Sequence, residues 1–154
     1  MQTFFEDYLN ILQACHDDII KALDGLPSAA LDWIAGPEMN SISVLVFHLT
    51  GSERYWIGDV AAQEPSGRDR EAEFKVHGVG MDALKTWLDD SLAYARKTLE
   101  KLTVQDLEAP RISPRNGREF TVGWSLLHAL EHSNLHLGHV QITLQLWEQT
   151  QKSK

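Results

Sequence analysis

The chain has one cysteine, Cys15, so no disulfide can form within it and nothing points to an oxidising compartment. Cys15 lies in an apparently helical stretch with no activating neighbour in sequence, which suits a small buried packing residue rather than a nucleophile. Long apolar runs are missing as well. Nowhere do roughly 18 or more apolar residues stand together, and the leading MQTFFEDYLNILQACHDD has neither a basic lead nor an uninterrupted apolar core. Secretion and membrane spanning are therefore not expected, and the expected location is the cytoplasm. Positive charge is scarce: 14 Lys and Arg against 22 Asp and Glu give a formal net charge of −8, a field that repels phosphate backbones. No local basic patch opposes it, so nucleic acid is not an expected partner. Internal repeats and low-complexity runs are also absent.

What is present suits one globular domain spanning 1–154, because that length with 43% hydrophobic residues can bury a self-sufficient core. From Thr3 to Asp24, Phe4, Leu9, Leu12, Ile19, Ile20 and Leu23 recur at helical intervals, and Thr3 followed by Glu6 has the form of a capping box. Gly25 and Pro27 mark the end of that helix. Ser41 or Ser43 can cap a second helix running to about Ala62, after which EPSGRDRE reads as an exposed loop. A third helix is expected from Met81 to Leu102, with Leu84, Trp87, Leu88, Leu92, Ala95 and Leu99 as its apolar stripe. Two prolines and Asn116-Gly117, a pair suited to a type I′ turn, make a short irregular or hairpin segment plausible between Ala109 and Thr121. A fourth helix, capped by Thr121, follows from Val122 to Gln149. The fold class expected is all-α, a four-helix bundle.

Histidine supplies the functional signal. With His128 set at 0° and 100° per residue, His139, His132 and His136 fall at about 20°, 40° and 80°, one narrow arc of the fourth helix. Trp124, Leu135, Val140, Ile142, Leu146 and Trp147 surround the arc while Glu131, Asn134, Gln141, Gln145 and Glu148 lie opposite, so the histidines are expected to face the core. His48 on the second helix shares a face with Val44, Leu45, Tyr55 and Trp56, and Ser52 and Asp59 fall on it too. A buried imidazole without a partner costs roughly 1–3 kcal/mol, and a shared metal removes that cost for several at once. Two imidazoles at i and i+4 can approach one ion from one helix and a third from a facing helix completes a tripod. Spacing alone does not choose among His128, His132, His136 and His139.

The other candidates have ordinary readings. His16 and His77 lack such context and are expected at the surface or at caps. The five tryptophans suit core or interface packing, and only Trp56 and Tyr55 are placed to line a pocket. Arg111, Arg115 and Arg118 can steer an acidic substrate, though a solvated loop is the plainer reading.

The segment MNSISVLVFHLTGSERYWIGD, followed some 70 residues later by WSLLHALEHSNLHLGHVQI, resembles the DinB-like (YfiT-like) metalloprotein superfamily over nearly the whole chain. The resemblance implies a four-helix bundle with one divalent metal, zinc or nickel, bound by a histidine of the second helix and two residues of the fourth. At matching positions these are His48, His132 and His136, which leaves His128, His139, Ser52, Tyr55 and Trp56 as pocket or outer residues. Some relatives carry a carboxylate at the position of His132. Relatives include transferases and isomerases that use low-molecular-weight thiols such as bacillithiol or mycothiol, and many are dimeric.

Three functions follow as expectations: a metal-dependent thiol S-transferase acting on a small-molecule electrophile, a metal-dependent hydrolase with Asp59 or Glu53 as base, and a non-catalytic metal-binding stress-response protein. A homodimer is also expected.

Overall fold

The computed structural model describes residues 1–152. Helix α1 spans Thr3–Leu23, a single turn α2 spans Ser28–Leu31, and α3 spans Ile42–Arg54 before continuing as a π-helix, Tyr55–Ala62. A second short turn, α4, covers Arg70–Glu73, and α5 runs over Met81–Leu99. A 3₁₀ turn, Val104–Glu108, leads into strands β1 (Pro110–Ile112) and β2 (Glu119–Thr121), and α6, Val122–Lys152, completes the chain. At 1.5 Å per residue α6 is about 46 Å long.

Helices α1, α3, α5 and α6 form a four-helix bundle. Helix α3 packs between α5 and α6, and α1 lies between the same two on the opposite side, so the first two long helices in sequence are diagonal. The core divides into two apolar clusters. One, built on Phe5, Leu9, Leu12, Ile57, Ala95, Leu99 and Leu126, fills one end. The other, built on Ile19, Leu23, Ile42, Leu49, Leu84, Leu88 and Val140, fills the other. Burying each such leucine or isoleucine contributes about 1.5–3 kcal/mol. Among the described residues no helix is long and apolar enough to cross a membrane.

Local signals set most boundaries. Gly25 takes φ +72° directly after α1, the left-handed conformation expected of it. Ser41, not Ser43, caps α3 by accepting the Val44 N–H at 3.3 Å, and Thr121 accepts the Trp124 N–H at 3.1 Å to cap α6. The expected capping box at Thr3 does not form, because Thr3 already lies inside the helix and Gln2 is the cap residue. The Gln2 side chain instead accepts the Val104 N–H at 2.7 Å. A capping box forms elsewhere, between Thr103 and Asp106.

The hairpin is present, with Pro110, Arg111 and Ile112 opposite Thr121, Phe120 and Glu119. Its turn is not type I′, since only Gly117 (φ +69°) is left-handed and the Ser113 N–H donates to Arg118 across a four-residue loop. The segment after the second helix is the largely exposed loop expected, but it is tied down and leads into a buried acid. Ser66 and Glu73 are buried there, Asp69 caps α4 by accepting two backbone N–H groups, and Asp59 accepts hydrogen bonds from both the backbone and the hydroxyl of Ser66.

Candidate metal centre

The histidine arc of α6 is rotated from its expected orientation. The residues of α6 that face the core are Val122, Ser125, Leu126, Ala129, Ser133, Val140 and Thr143, whereas Trp124, Leu127, Leu135 and Ile142 are exposed. The arc therefore rides on the shoulder of the helix beside α3. His132 and His136 are half-buried there, His128 is similar, and His139 is exposed.

Three of the five candidate histidines converge. One ring nitrogen from each of His48, His132 and His136 lies within 4.8 Å of the other two. His132 Nε2 and His136 Nε2 are 3.3 Å apart, and the His48 ring centroid is 5.2 and 5.0 Å from theirs. For metal–nitrogen bonds near 2.0–2.1 Å the edge of a tetrahedron is about 3.3–3.4 Å, so the α6 pair already has the separation of two ligands. Burial first, and then the neighbouring histidines, push the His132 imidazole down to about 3 and His136 down to about 4. Both are neutral at physiological pH and present lone pairs, as a cation requires. Nδ1 of His132 is buried and has no partner among the described residues, so nothing in the protein draws that ring away from the centre. The donor set fits one divalent ion with a position left for a further ligand.

His48 is held from behind by a group outside the sequence expectations. Glu73, on α4, accepts from His48 Nδ1 at 2.9 Å and from Arg68 Nε and Nη2 at 2.6 and 2.8 Å. A carboxylate only accepts, so Nδ1 carries a proton and Nε2 is the nitrogen a metal would take. Burial alone would raise the Glu73 carboxyl, but the hydrogen bonds from Arg68 and His48 outweigh it and hold the group below its ordinary range. Gly51 makes room for this arrangement: a Cβ there would overlap the Glu73 carboxylate and come within 3.3 Å of Arg68 Nε. Phe74 packs on the His48 ring at 4.9 Å and carries Arg70 on its own ring. On α6, exposed His139 places Nδ1 3.4 Å from Nδ1 of His136, a partner for the nitrogen that faces away from the centre.

The remaining candidates divide. His128 stacks on Trp124 (4.8 Å, 14°) and meets Trp56 edge-on at 4.6 Å, so it belongs to an aromatic cluster that includes Phe120. Trp56 belongs to the same cluster. Trp124, expected to pack inside, is 44% exposed. Ser52 is buried one turn after His48. The Tyr55 hydroxyl pairs with Ser113 Oγ at 2.6 Å, and its ring lies under Arg68. Tyr55, Arg68, Arg70 and Arg115 line an open cavity of about 550 Å³ together with Asp59 and Pro114. Of the arginines expected near the site only Arg115 reaches this cavity, since Arg111 donates to the Ala61 carbonyl and Arg118 stacks on Phe120.

Two expectations are corrected. His16 is neither exposed nor a cap: it is 1% exposed and bonds Glu53 at 2.9 Å. Burial alone would lower its imidazole, but the charge and hydrogen bond of Glu53 outweigh that and raise it. Glu53 and Asp59 are not free bases either, because each is committed to its own hydrogen bonds. The loop acids and Gly51 were invisible to periodicity, which sees only regular elements.

The DinB superfamily model matches residues 11–140. The chain belongs to the DinB superfamily. A conserved protein from Enterococcus faecalis is similar in fold, with a TM-score of 0.74 at 17% identity, over 95% of this chain and 98% of that one. YfiT from Bacillus subtilis, described as a probable metal-dependent hydrolase with an unusual four-helix bundle topology, has a TM-score of 0.72 at 15% identity, covering 93% and 87%. A mycothiol-dependent maleylpyruvate isomerase has a TM-score of 0.63 at 16% identity, and the match covers 89% of this DinB chain and 62% of that protein. At these identities the likenesses establish the fold alone. No curated protein matches the chain.

Proposed function

We propose that this DinB protein binds one divalent metal ion, zinc or nickel, through His48, His132 and His136, and uses it to transfer a low-molecular-weight thiol of the bacillithiol or mycothiol type to an electrophile. The observation that supports this reading is the convergence of three imidazoles, with His48 linked through Glu73 to Arg68, a residue that lines an open cavity. When bound, the ion supplies a positive charge that lowers the pKa of a coordinated thiol or water.

The chain's own residues do the rest. Glu73 fixes the tautomer of His48, and His139 is set to do the same for His136. Arg70 and Arg115, in a chain of net charge −8, give the cavity a local positive field suited to an anionic group on the thiol or the electrophile. Transfer of a thiol already deprotonated at the centre needs no general base. Hydrolysis ordinarily does, and here Glu53, Asp59 and Glu73 are each held by two or more hydrogen bonds.

The hydrolase reading keeps one support, the description given to YfiT. The two are separated by incubating metal-loaded protein with a model electrophile, with and without thiol. A metal-dependent rate increase that needs the thiol and disappears in His48→Ala is expected. Ester turnover without thiol, at the same rate, would place the protein with the hydrolases.

A further inference from the structure

The two apolar clusters are separated by a polar layer to which every helix of the bundle contributes one residue. It consists of His16 on α1, Glu53 on α3, Ser91 on α5 and Ser133 on α6, none more than 1% exposed. Along each helix the order is apolar, polar, apolar: Leu12, His16, Ile19; Leu49, Glu53, Ile57; Leu88, Ser91, Ala95; Ala129, Ser133, Val140. Glu53 is the hub. Its Oε1 accepts from His16 Nε2 at 2.9 Å and from Ser133 Oγ at 2.7 Å, and its Oε2 accepts from Ser91 Oγ at 2.6 Å.

Such a layer is a poor way to gain stability. Removing a carboxylate from water costs several kcal/mol, and well-packed apolar replacements of buried ion pairs are often neutral or stabilising. What directional bonds provide instead is register, because apolar faces can slide or rotate against each other and a three-armed carboxylate hub cannot follow them without losing its partners. The register in question matters for the centre. Ser133 immediately follows His132 and precedes His136 by three residues, while Glu53 stands on the same helix as His48. The pair that ties α3 to α6 in the core is therefore adjacent to the pair that would be joined by a metal at the shoulder.

We propose that Glu53 is a positioning residue: through Ser133 it fixes the slide and rotation of α6 against α3 and so presets the His48, His132 and His136 tripod before any ion arrives. This rests on the reading of the tripod as a metal centre, and the test includes a measurement that does not.

Cobalt(II) serves as probe, with affinity measured by chelator competition and coordination read from its visible absorption. Three variants are compared with the parent: Ser133→Ala, the double variant His16→Leu with Glu53→Leu, and His48→Ala. In the double variant thermal stability is expected to be kept or raised while cobalt binds about tenfold more weakly and its absorption bands shift, the size found when groups behind metal ligands are removed. Ser133→Ala is expected to do the same in smaller measure. A double variant as stable as the parent, with the same affinity and the same bands, overturns the proposal. If the double variant does not fold, Ser133→Ala decides, since it removes a single hydroxyl.

In metal-free protein, nuclear Overhauser contacts between the rings of His48 and of His132 and His136 are expected in the parent and lost in Ser133→Ala with the fold intact. Their retention overturns the positioning role. A parent indistinguishable from His48→Ala in cobalt binding instead overturns the metal reading, and the ring contacts still decide the role of Glu53.

Discussion

Gly51 stands three residues after His48, one turn on along the same face of α3, and its missing side chain is what admits Glu73. Replacing it with alanine puts a methyl where the carboxylate sits. The expected result is expulsion of Glu73 from between His48 and Arg68, which leaves a buried arginine and an unoriented ligand. Gly51→Ala and Glu73→Ala should therefore resemble each other. Each is expected to lose about 3–5 kcal/mol of stability, the usual consequence of breaking a buried charged pair. Each should also weaken metal binding by about 10–100-fold through the freed imidazole. Urea titration and chelator competition measure the two effects, and Gly51→Ala with parental values for both would show that Glu73 has room to move without consequence. None of this was legible beforehand. His48 stood out because it sat in a helix of apolar neighbours, but Arg68 and Glu73 come from a stretch that reads as polar loop, and the demand on Gly51 exists only once that loop folds back over α3.

At the scale of elements, α6 shows how converging residues can be found from an inaccurate wheel. Its core face mixes the small and polar side chains Ser125, Ala129, Ser133 and Thr143 with Val122, Leu126 and Val140, while Leu127, Leu135 and Ile142 point outward. Apolar weighting consequently turns the helix by roughly a fifth of a turn from its true orientation. His132 and His136 survive that error because they lie at the edge of the arc nearest the real core, and His128 and His139 do not. The resemblance to the DinB superfamily, rather than periodicity, singled out the pair that converges with His48. A related limit applies to α3, where the π-helical continuation breaks the 100° step after Arg54. Asp59, expected on the face of His48, instead accepts from Ser66. The structure predicts that His132→Ala and His136→Ala abolish stoichiometric metal binding. His128→Ala should leave it intact, and His139→Ala should weaken it by no more than about tenfold, the loss of an orienting partner. Elemental analysis of untagged variants checks all four.

For the whole molecule, the sequence set the number of long helices and the boundaries of all four within about three residues, but not their arrangement, because diagonal and adjacent packing make the same demands on an amphipathic face. The packing joins α3 and α6 at the tripod, so the stability of the bundle should depend on both pH and metal. In metal-free protein His132 and His136 titrate near 3 and 4 when folded but near 6.5 when unfolded. Between those limits the unfolded chain binds more protons, so stability falls as pH is lowered from about 6.5 towards 4. His16 acts in the opposite direction: its folded imidazole is raised, so its contribution is fully present below about 6.5 and is lost as pH rises through its folded value. A chelator-treated sample should accordingly show a urea midpoint that declines on the acid side, and His132→Ala should flatten that decline. Ligation of neutral imidazoles opposes protonation, so metal should protect most strongly near neutral pH and progressively less as acid competes for the nitrogens. At a free metal concentration about 100 times the dissociation constant the gain is about 2.7 kcal/mol. For a domain of this length that corresponds to a rise in Tm of about 5–10 °C. A scan at pH 7 with and without zinc, repeated on His48→Ala, measures it; an equal rise in both would mean that the ion binds somewhere other than the tripod.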